Sequence, residues 1–553
     1  MTSTGFDFHT SLNQVPPLQD YNSFDTNEAL RNAINAYGAA WMQDDASAFG
    51  ALMGSAAMQE AGHLANRYPP VLKTHDRFGN RLDIVEYHPA YHRIMEVSMH
   101  HQLHSIAWNN TKPGAYLAHG VLAYLKQQID EGTSCPVTMT FAVVPSLQID
   151  PGIAQEWLPL VLSNTYDERH IPYYEKKGLT FGMAMTEPQG GSDVRANITL
   201  AKPIDNNIYS ITGRKWFCSA PMSDAFLVLA QTAKGLGCFL VPRFRPDGTK
   251  NALHFQRLKD KLGNRSNASG EVEFHSAWGR LIGEEGRGIP AIMEMVRHTR
   301  LDCAVGSAAT MQRAVAEAIH HCHHRAAFGK KLIEQPLMKN VLADLSLETE
   351  AATTLAMCLA KGFDDARTNE EAMHFTRIAT AVGKFWNTKR AVLVLGEALE
   401  CIGGNGYVEE SILPRLYRDV PVNAIWEGSG NIQALDVLRV MEKEPASMEA
   451  IMNYLTQAKG LDPDLDRYLD QLHRSITTPA DHAFLARVLV ENLALAIQAI
   501  ELIRIAPSAV AKLFCASRLS SKRHLSWGAL ESSLGLDEVI NRTYYPSLTR
   551  TLL

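Results

Sequence analysis

The sequence predicts a mainly α protein with a β-barrel in its middle, a helical bundle after it, and an extra helical block at the end of the chain. Three observations predict this. Apolar residues recur at three-and-four spacing over most of the chain, the pattern of amphipathic helices. Between about 181 and 285 the period changes to two, the pattern of half-buried strands. From about 286 to 445 four long helical patterns follow one another, as an antiparallel four-helix bundle requires. A chain of 553 residues, at ~150 residues per domain, has room for three or four domains.

Each block is justified in turn. Residues 1–180 read as a helical domain, with amphipathic patterns over 28–37, 45–67, 91–107 and 114–131, punctuated by Pro16-Pro17 and Pro69-Pro70. Residues 181–285 read as the barrel. Ile208-Tyr209-Ser210-Ile211-Thr212 alternates, and 225–230 and 237–241 are short apolar runs that end near turn residues. Residues 286–445 carry patterns over 287–324, 337–362, 370–403 and 429–442, and Gly362 and Gly403-Gly404 are expected at helix ends. Residues 446–553 form the last block, with a turn at Asp462-Pro463-Asp464 and a long apolar stretch over 483–505.

Composition narrows the function. Lys+Arg 53 against Asp+Glu 59 gives a net charge of −6. A generally basic nucleic-acid coat is excluded, and DNA contact would need a local patch. The opening stretch has no positive n-region and no apolar h-region, and no uncharged apolar run reaches the ~18–20 residues of a membrane span. Eight scattered cysteines form no C-x-x-C pair and suit buried free thiols in a reducing compartment. The expected location is the cytoplasm, with no membrane partner.

Three segments carry chemistry. Met185-Thr186-Glu187-Pro188-Gln189-Gly190-Gly191-Ser192-Asp193 closes an apolar strand. Its glycines let backbone approach a ligand, and Thr186 and Ser192 offer hydroxyls beside free amides. Gly-Gly-Ser-Asp alone reads first as a plain strand-to-strand turn; the longer string is what points to a ligand. Phe217 and Ser219, on a strand about twenty-five residues later, pair an aromatic face with a hydroxyl; an edge strand with a surface aromatic is the plainer alternative. Ile425-Trp426-Glu427-Gly428-Ser429-Gly430-Asn431 puts an acid on a glycine-flanked turn before a helix whose expected cap is Ser429. Glu427 could simply favour the helix N-terminus, or serve as a base whose apolar surroundings raise its pKa. His320-His321-Cys322-His323-His324 reads as a polar helix end rather than a metal site, because neighbours on one helix diverge.

Taken in order, these segments resemble the acyl-CoA dehydrogenase superfamily. Thr186–Asp193 matches its T-E-P-x-x-G-S-D signature, and Ile425–Gly428 resembles its I-Y-E-G signature. Arg325, Phe328 and Gln335 resemble its R-x-x-F-G…Q element, and Gly403-Gly404-Asn405-Gly406-Tyr407 resembles its G-G-x-G-Y turn. A closer resemblance is to the AidB-like branch, the adaptive-response flavoproteins. It rests on 262–269, Leu-Gly-Asn-Arg-Ser-Asn-Ala-Ser, on 425–431, on length, and on the extra C-terminal block.

This resemblance implies FAD between barrel and bundle. Met185, Thr186, Gly191, Ser192, Phe217 and Ser219 would contact it, with Arg325, Phe328, Gln335, Gly403, Gly404, Ser429 and Asn431. Glu427 would remove the α-proton of an acyl-CoA, beside a pocket lined by Arg300 and Trp426. A homotetramer is implied, because the glycine turn serves a neighbour's FAD in the family. Four departures threaten ordinary turnover more than FAD binding. Trp426 stands for Tyr, Glu400 for Gln, Thr299 for the Glu before Arg300, and Ala220 for Asn.

The AidB-like resemblance also implies a role in the alkylation response, binding duplex DNA and protecting it, with weak dehydrogenase activity. The alternative is an ordinary FAD-dependent dehydrogenase of short or branched acyl-CoAs. Local support for DNA is an acid-free stretch from 502 to 530 holding Arg504, Lys512, Arg518, Lys522 and Arg523. A solvated helical face, or salt bridges to acids elsewhere, would give the same pattern.

Overall fold

The computed structural model describes residues 12–477, 482–520 and 524–544. Helix α1 (Glu28–Ala36) begins at Asn27, whose side chain accepts the Leu30 N–H. The pattern over 45–67 forms two helices, α2 (Gln43–Gly54) and α3 (Ala56–Arg67), rather than one. Ser55 is extended there and its side chain caps α3 through the Met58 N–H. A side chain at Gly54 would strike the Tyr21 carbonyl at 1.7 Å, so the chain passes closely and turns. A hairpin, β1 (Val71–His75) and β2 (Arg81–Glu86), interrupts the block that was expected to be helical throughout. Helices α4 (Pro89–His100), α5 (Ile106–Asn109), α6 (Ala115–Gln127), α7 (Ser134–Ala142), α8 (Val144–Leu147) and α9 (Pro151–Val161) follow.

The period-two region forms β3 (Phe181–Ala184), β4 (Leu200–Asp205), β5 (Ile208–Ser219), β6 (Ala225–Thr232), β7 (Gly235–Pro242), β8 (Leu253–Leu258) and β9 (Ser269–Ile282). The sheet runs β3-β5-β4-β6-β7-β9-β8, and the extra pairings β3–β6 and β5–β9 close it on itself. Ile211, Phe226, Val228, Phe239, Val241, Val272 and Phe274 fill a core of its own. The continuous apolar runs of β6 and β7 reflect burial on both faces, since the other side of this sheet packs on helices.

The bundle consists of α10 (Gly288–His324), α11 (Pro336–Asp365), α12 (Glu370–Ile402) and α15 (Gly430–Lys443). A two-residue hairpin, β10 (Ala326–Ala327) with β11 (Lys330–Lys331), joins α10 to α11, and α13 (Gly404–Tyr407) and α14 (Leu413–Asp419) lead from α12 towards α15. Gly403 ends α12 with φ +72° as expected. Gly362 does not end a helix. It lies inside α11, where a Cβ would meet Thr376 Oγ1 at 2.5 Å; the glycine serves close helix packing, not termination.

Helices α16 (Pro445–Thr456), α17 (Pro463–Thr477), α18 (His482–Ile505), α19 (Ser508–Arg518) and α20 (Leu536–Thr543) complete the described chain. They extend the bundle, sharing one continuous apolar core with it and with the N-terminal helices. Helix α18 is long and apolar enough to cross a membrane by length and composition, yet most of it is buried in the protein. Leu493, Ile497 and Ile500 are fully enclosed, each worth roughly 1.5–3 kcal/mol of burial. All eight cysteines are buried and unpaired.

Candidate active site

Glu427 sits on the turn between α14 and α15 with a left-handed backbone, φ +57°, a conformation that disfavours a residue with a Cβ. Three side chains from three helices hold that turn. Lys384 of α12 donates to the Trp426 and Gly428 carbonyls (2.6 and 2.5 Å). Gln433 of α15 donates to the Glu427 and Gly428 carbonyls (3.0 and 2.9 Å). Arg300 of α10 donates through Nε to the Glu427 carbonyl (3.2 Å). The carboxylate itself accepts from Thr299 Oγ1 (2.8 Å). Burial pushes the Glu427 carboxyl up, while the Thr299 hydroxyl, Lys384 and Arg300 pull it partly back. A carboxyl so raised suits a general base.

Lys384, Gln433 and Thr299, which hold the turn and its carboxylate, were given no role by the sequence. Arg300 was expected to line the substrate pocket. Its guanidinium pairs with Asp436 (2.7 Å) and grips the turn beside Glu427, because an unpaired buried charge would be costly. Trp426 is half-buried, with Nε1 donating to Asn423 Oδ1 (3.0 Å), while Asn423 donates in turn to Glu131. Ser429 occupies the cap position of α15, but its side chain makes no capping hydrogen bond; Asn431 beside it is exposed.

Across from this turn lie β3 and β5. Met183, just before the 185–193 turn, pairs with Ser219, and the Trp216 N–H donates to the Thr186 carbonyl (2.8 Å). Cys135 of α7, a buried thiol beside Asn267 and Ser219, lies in electrostatic reach of Glu427. Beneath the turn, Glu187 and Lys215 form a fully buried ion pair (2.7 Å). Glu187 also accepts the Ile198 and Thr199 amides (2.7 and 3.1 Å), so the acid of the motif is a strut. Gly191 and Ser192 are exposed, Met185 and Thr186 half-buried. Phe217 is 46% exposed, with Lys259 Nζ 4.7 Å from its ring centroid.

The remaining candidates lie elsewhere. Arg325, Phe328 and Gln335 follow the far end of α10, where Arg325 donates to the Asn13 carbonyl (2.5 Å) and Gln335 to the Ala327 carbonyl (3.1 Å). At 1.5 Å rise per residue, Thr299 and Arg325 are about 39 Å apart along the helix. Gly403 and Gly404 lie similarly at the end of α12, about 28 Å beyond Lys384. Both elements therefore lie a long way along their helices from the Glu427 of their own chain. Phe328, 98% exposed, and Tyr407, 78% exposed, project from that far end.

The basic stretch is corrected too. Arg518 pairs with Asp344 and Glu348 (3.1 Å to Glu348). Arg504 pairs with Glu501 (2.7 Å) and lies over the Tyr454 ring. These cations neutralise acids from the protein's own helices, which a charge count along the chain cannot see. Lys512 is exposed, and Lys522 and Arg523 lie outside the described residues. In the histidine run, His320 meets the Pro16 carbonyl and the Tyr544 hydroxyl (2.9 and 3.2 Å).

Comparison with known proteins decides the family. Residues 13–168 match the adaptive response protein AidB N-terminal domain, 182–277 the acyl-CoA dehydrogenase middle domain, and 286–442 the acyl-CoA dehydrogenase C-terminal domain. The chain is 44% identical to AidB of Escherichia coli (strain K12), named as an acyl-CoA dehydrogenase, over 93% of this chain and 95% of that protein. The chain belongs to the AidB branch of the acyl-CoA dehydrogenases. It is 31% identical to acyl-CoA dehydrogenase family member 11 of Caenorhabditis elegans, over 75% of this chain and 69% of that protein. The crystal structure of Caenorhabditis elegans ACDH-11 in complex with C11-CoA matches with TM-score 0.84 and 25% identity, covering 94% of each chain. The apo form of Bd2924 matches with TM-score 0.83 and 26% identity, covering 89% of this chain and 100% of that one.

As an acyl-CoA dehydrogenase, the protein is an FAD-dependent oxidoreductase. The residues present fit that cofactor. The amides of Gly191 and Ser192 have no backbone partner among the described residues. A side chain at Gly191 would strike Thr186 Oγ1 at 2.7 Å, and Gly190 has open space beside it. Open amides, hydroxyls at Thr186, Ser192 and Ser429, and the exposed face of Phe217 form a donor set suited to ring carbonyls and a diphosphate.

Proposed function

We propose that the protein oxidises an acyl-CoA between its α and β carbons, with Glu427 as the base that removes the α-proton. The half-buried Glu427, held by three helices with its carboxyl raised by burial, carries this reading. The Met185–Ser192 turn, Phe217 and Ser219 hold FAD, which when bound supplies the acceptor for the β-hydride. Trp426, fixed by Asn423, narrows the acyl pocket and favours short or branched chains. That ACDH-11 was solved with C11-CoA supports the acyl-CoA class. In the test, isovaleryl-CoA is added anaerobically and the flavin absorbance is followed. Bleaching is expected in the parent and at least a hundredfold slower in Glu427→Gln; equal rates would refute the assignment.

The protein functions as a homotetramer in the cytoplasm. Arg325, Phe328, Gln335, Gly403 and Gly404, remote from their own chain's Glu427, complete a neighbour's FAD site. Sedimentation of the holoprotein tests this.

A second reading has a specific support in the AidB N-terminal domain over 13–168. In it the protein binds duplex DNA in the alkylation response and protects it, with dehydrogenase activity weak. Within the acid-free stretch Lys512 is exposed and open to phosphate, Lys522 and Arg523 are further candidates outside the described residues, and Arg504 and Arg518 pair with the protein's own acids. Duplex binding that weakens steeply with salt would support phosphate contacts, and no binding at low salt would remove the reading.

A further inference from the structure

We propose that Thr299 is the positioning residue for the base: its hydroxyl pins Oε2 of Glu427, leaves Oε1 to take the substrate proton, and favours the charged acid over the neutral one. The proposal rests on the reading of Glu427 as base. Thr299 Oγ1 lies 2.8 Å from Glu427 Oε2 and 2.9 Å from the Val296 carbonyl. A hydroxyl has one proton and can donate to only one of them. Against a carboxylate the charge-assisted bond is roughly twice as strong as a neutral one, so the proton goes to Oε2. Oε1 has no hydrogen-bond partner among the described residues.

When the base acts, the α C–H bond breaks and an O–H bond forms at Oε1. The electron pair of the broken bond stays on the acyl chain and forms the α,β double bond as the β-hydride leaves with its two electrons; FAD, when bound, would supply the acceptor. Oε2 is then a neutral carbonyl oxygen, and the Val296 carbonyl competes for the Thr299 proton on equal terms. The hydroxyl therefore stabilises Glu427 more before proton transfer than after it.

The other groups facing Glu427 act differently. Arg300 and Cys303 come from α10, Lys384 from α12 and Cys135 from α7. Burial pushes both thiols up to about 12, so they stay neutral. Arg300 is neutralised by Asp436 of α15, which Arg377 also pairs. Lys384 donates to the Trp426 and Gly428 carbonyls. Among the described residues, Thr299 alone donates to the carboxyl.

The test uses holoprotein with Thr299→Val, which keeps the shape and removes the hydroxyl, and Thr299→Ser, which returns it. Thr299→Ala removes the same group without added volume and serves if valine does not fold. The protonation of Glu427 is read directly by pH-difference infrared spectroscopy, the band being assigned by its loss in Glu427→Gln. Thr299→Val should raise the midpoint by about one pH unit, the scale of a hydrogen bond to a charged group, and serine should restore it. The acidic limb of flavin bleaching by isovaleryl-CoA should move by the same amount, with the rate recovered at high pH. A midpoint unmoved by valine, or not restored by serine, overturns the role of Thr299 while leaving Glu427 as base. Bleaching unimpaired in Glu427→Gln overturns the base, and this proposal with it.

Discussion

Replacing Arg518 by methionine separates an internal ion pair from a DNA contact. Arg518 reaches Asp344 and Glu348, whose side chains are 4% and 2% exposed. Glu348 keeps Arg390 (2.7 Å), but Asp344 is left with the Gly528 amide (2.9 Å) on its other oxygen. Removing one partner of a buried pair costs roughly 3–5 kcal/mol. At about 2.1 cal/mol/K per residue, a chain of 553 residues carries about 1.2 kcal/mol/K, so the thermal midpoint falls by about 3–4 °C. The pH dependence has a definite sign. Burial raises the Glu348 carboxyl, but Arg390 and Arg518 outweigh it and hold it below its ordinary value. That stabilisation is present above the unfolded value of ~4.3 and fades as pH falls through the lower folded one. The deficit of Arg518→Met is therefore full at pH 7 and shrinks in acid. Thermal unfolding at several pH values measures it, with duplex DNA binding measured alongside. An unchanged midpoint together with weakened DNA binding would refute the inward reading of this arginine.

Other outcomes follow from the same geometry. Burial lowers Lys215 to about 8. Burial raises Glu187, but the Ile198 amide and Lys215 win and hold it at about 2. The strut under the flavin turn is thus intact between those values, so FAD should be released more readily as pH rises through about 8, and at neutral pH in Lys215→Met; flavin fluorescence in the filtrate reads both. Lys384→Met leaves the half-buried Trp426 carbonyl without its donor, costing roughly 1 kcal/mol. It also removes a cation near Glu427, so the acidic limb of flavin bleaching should move to higher pH. Phe328→Ala removes an aromatic that touches little of its own chain, and should lower FAD retention while the unfolding free energy of the FAD-free protein changes by less than about 0.5 kcal/mol.

Periodicity made the long helices and the barrel legible, because each buries one face and so repeats at its own period. The hairpin at 71–86 was not, since its strands are short and mixed in polarity, with β1 half-exposed. Gly362 misled because a glycine that admits a neighbouring helix looks like one that ends a helix. The motif acid Glu427 was legible from its glycine-flanked setting. Its holders were not: Lys384 lies forty-odd residues away in an unremarkable helical pattern, and nothing local says that its ammonium grips two carbonyls. Arg518 failed for the mirror reason, its partners Asp344 and Glu348 lying 170 or more residues upstream.

The left-handed backbone at Glu427 sets reactivity against robustness. A side-chain-bearing residue in that conformation costs roughly 1–2 kcal/mol, and an ionised acid enclosed there costs more. Glycine at this position would relieve both, leaving a firmer scaffold with no chemistry. The reactive acid persists where folding alone would discard it, so the sturdiest variants of this molecule are expected among its inert ones.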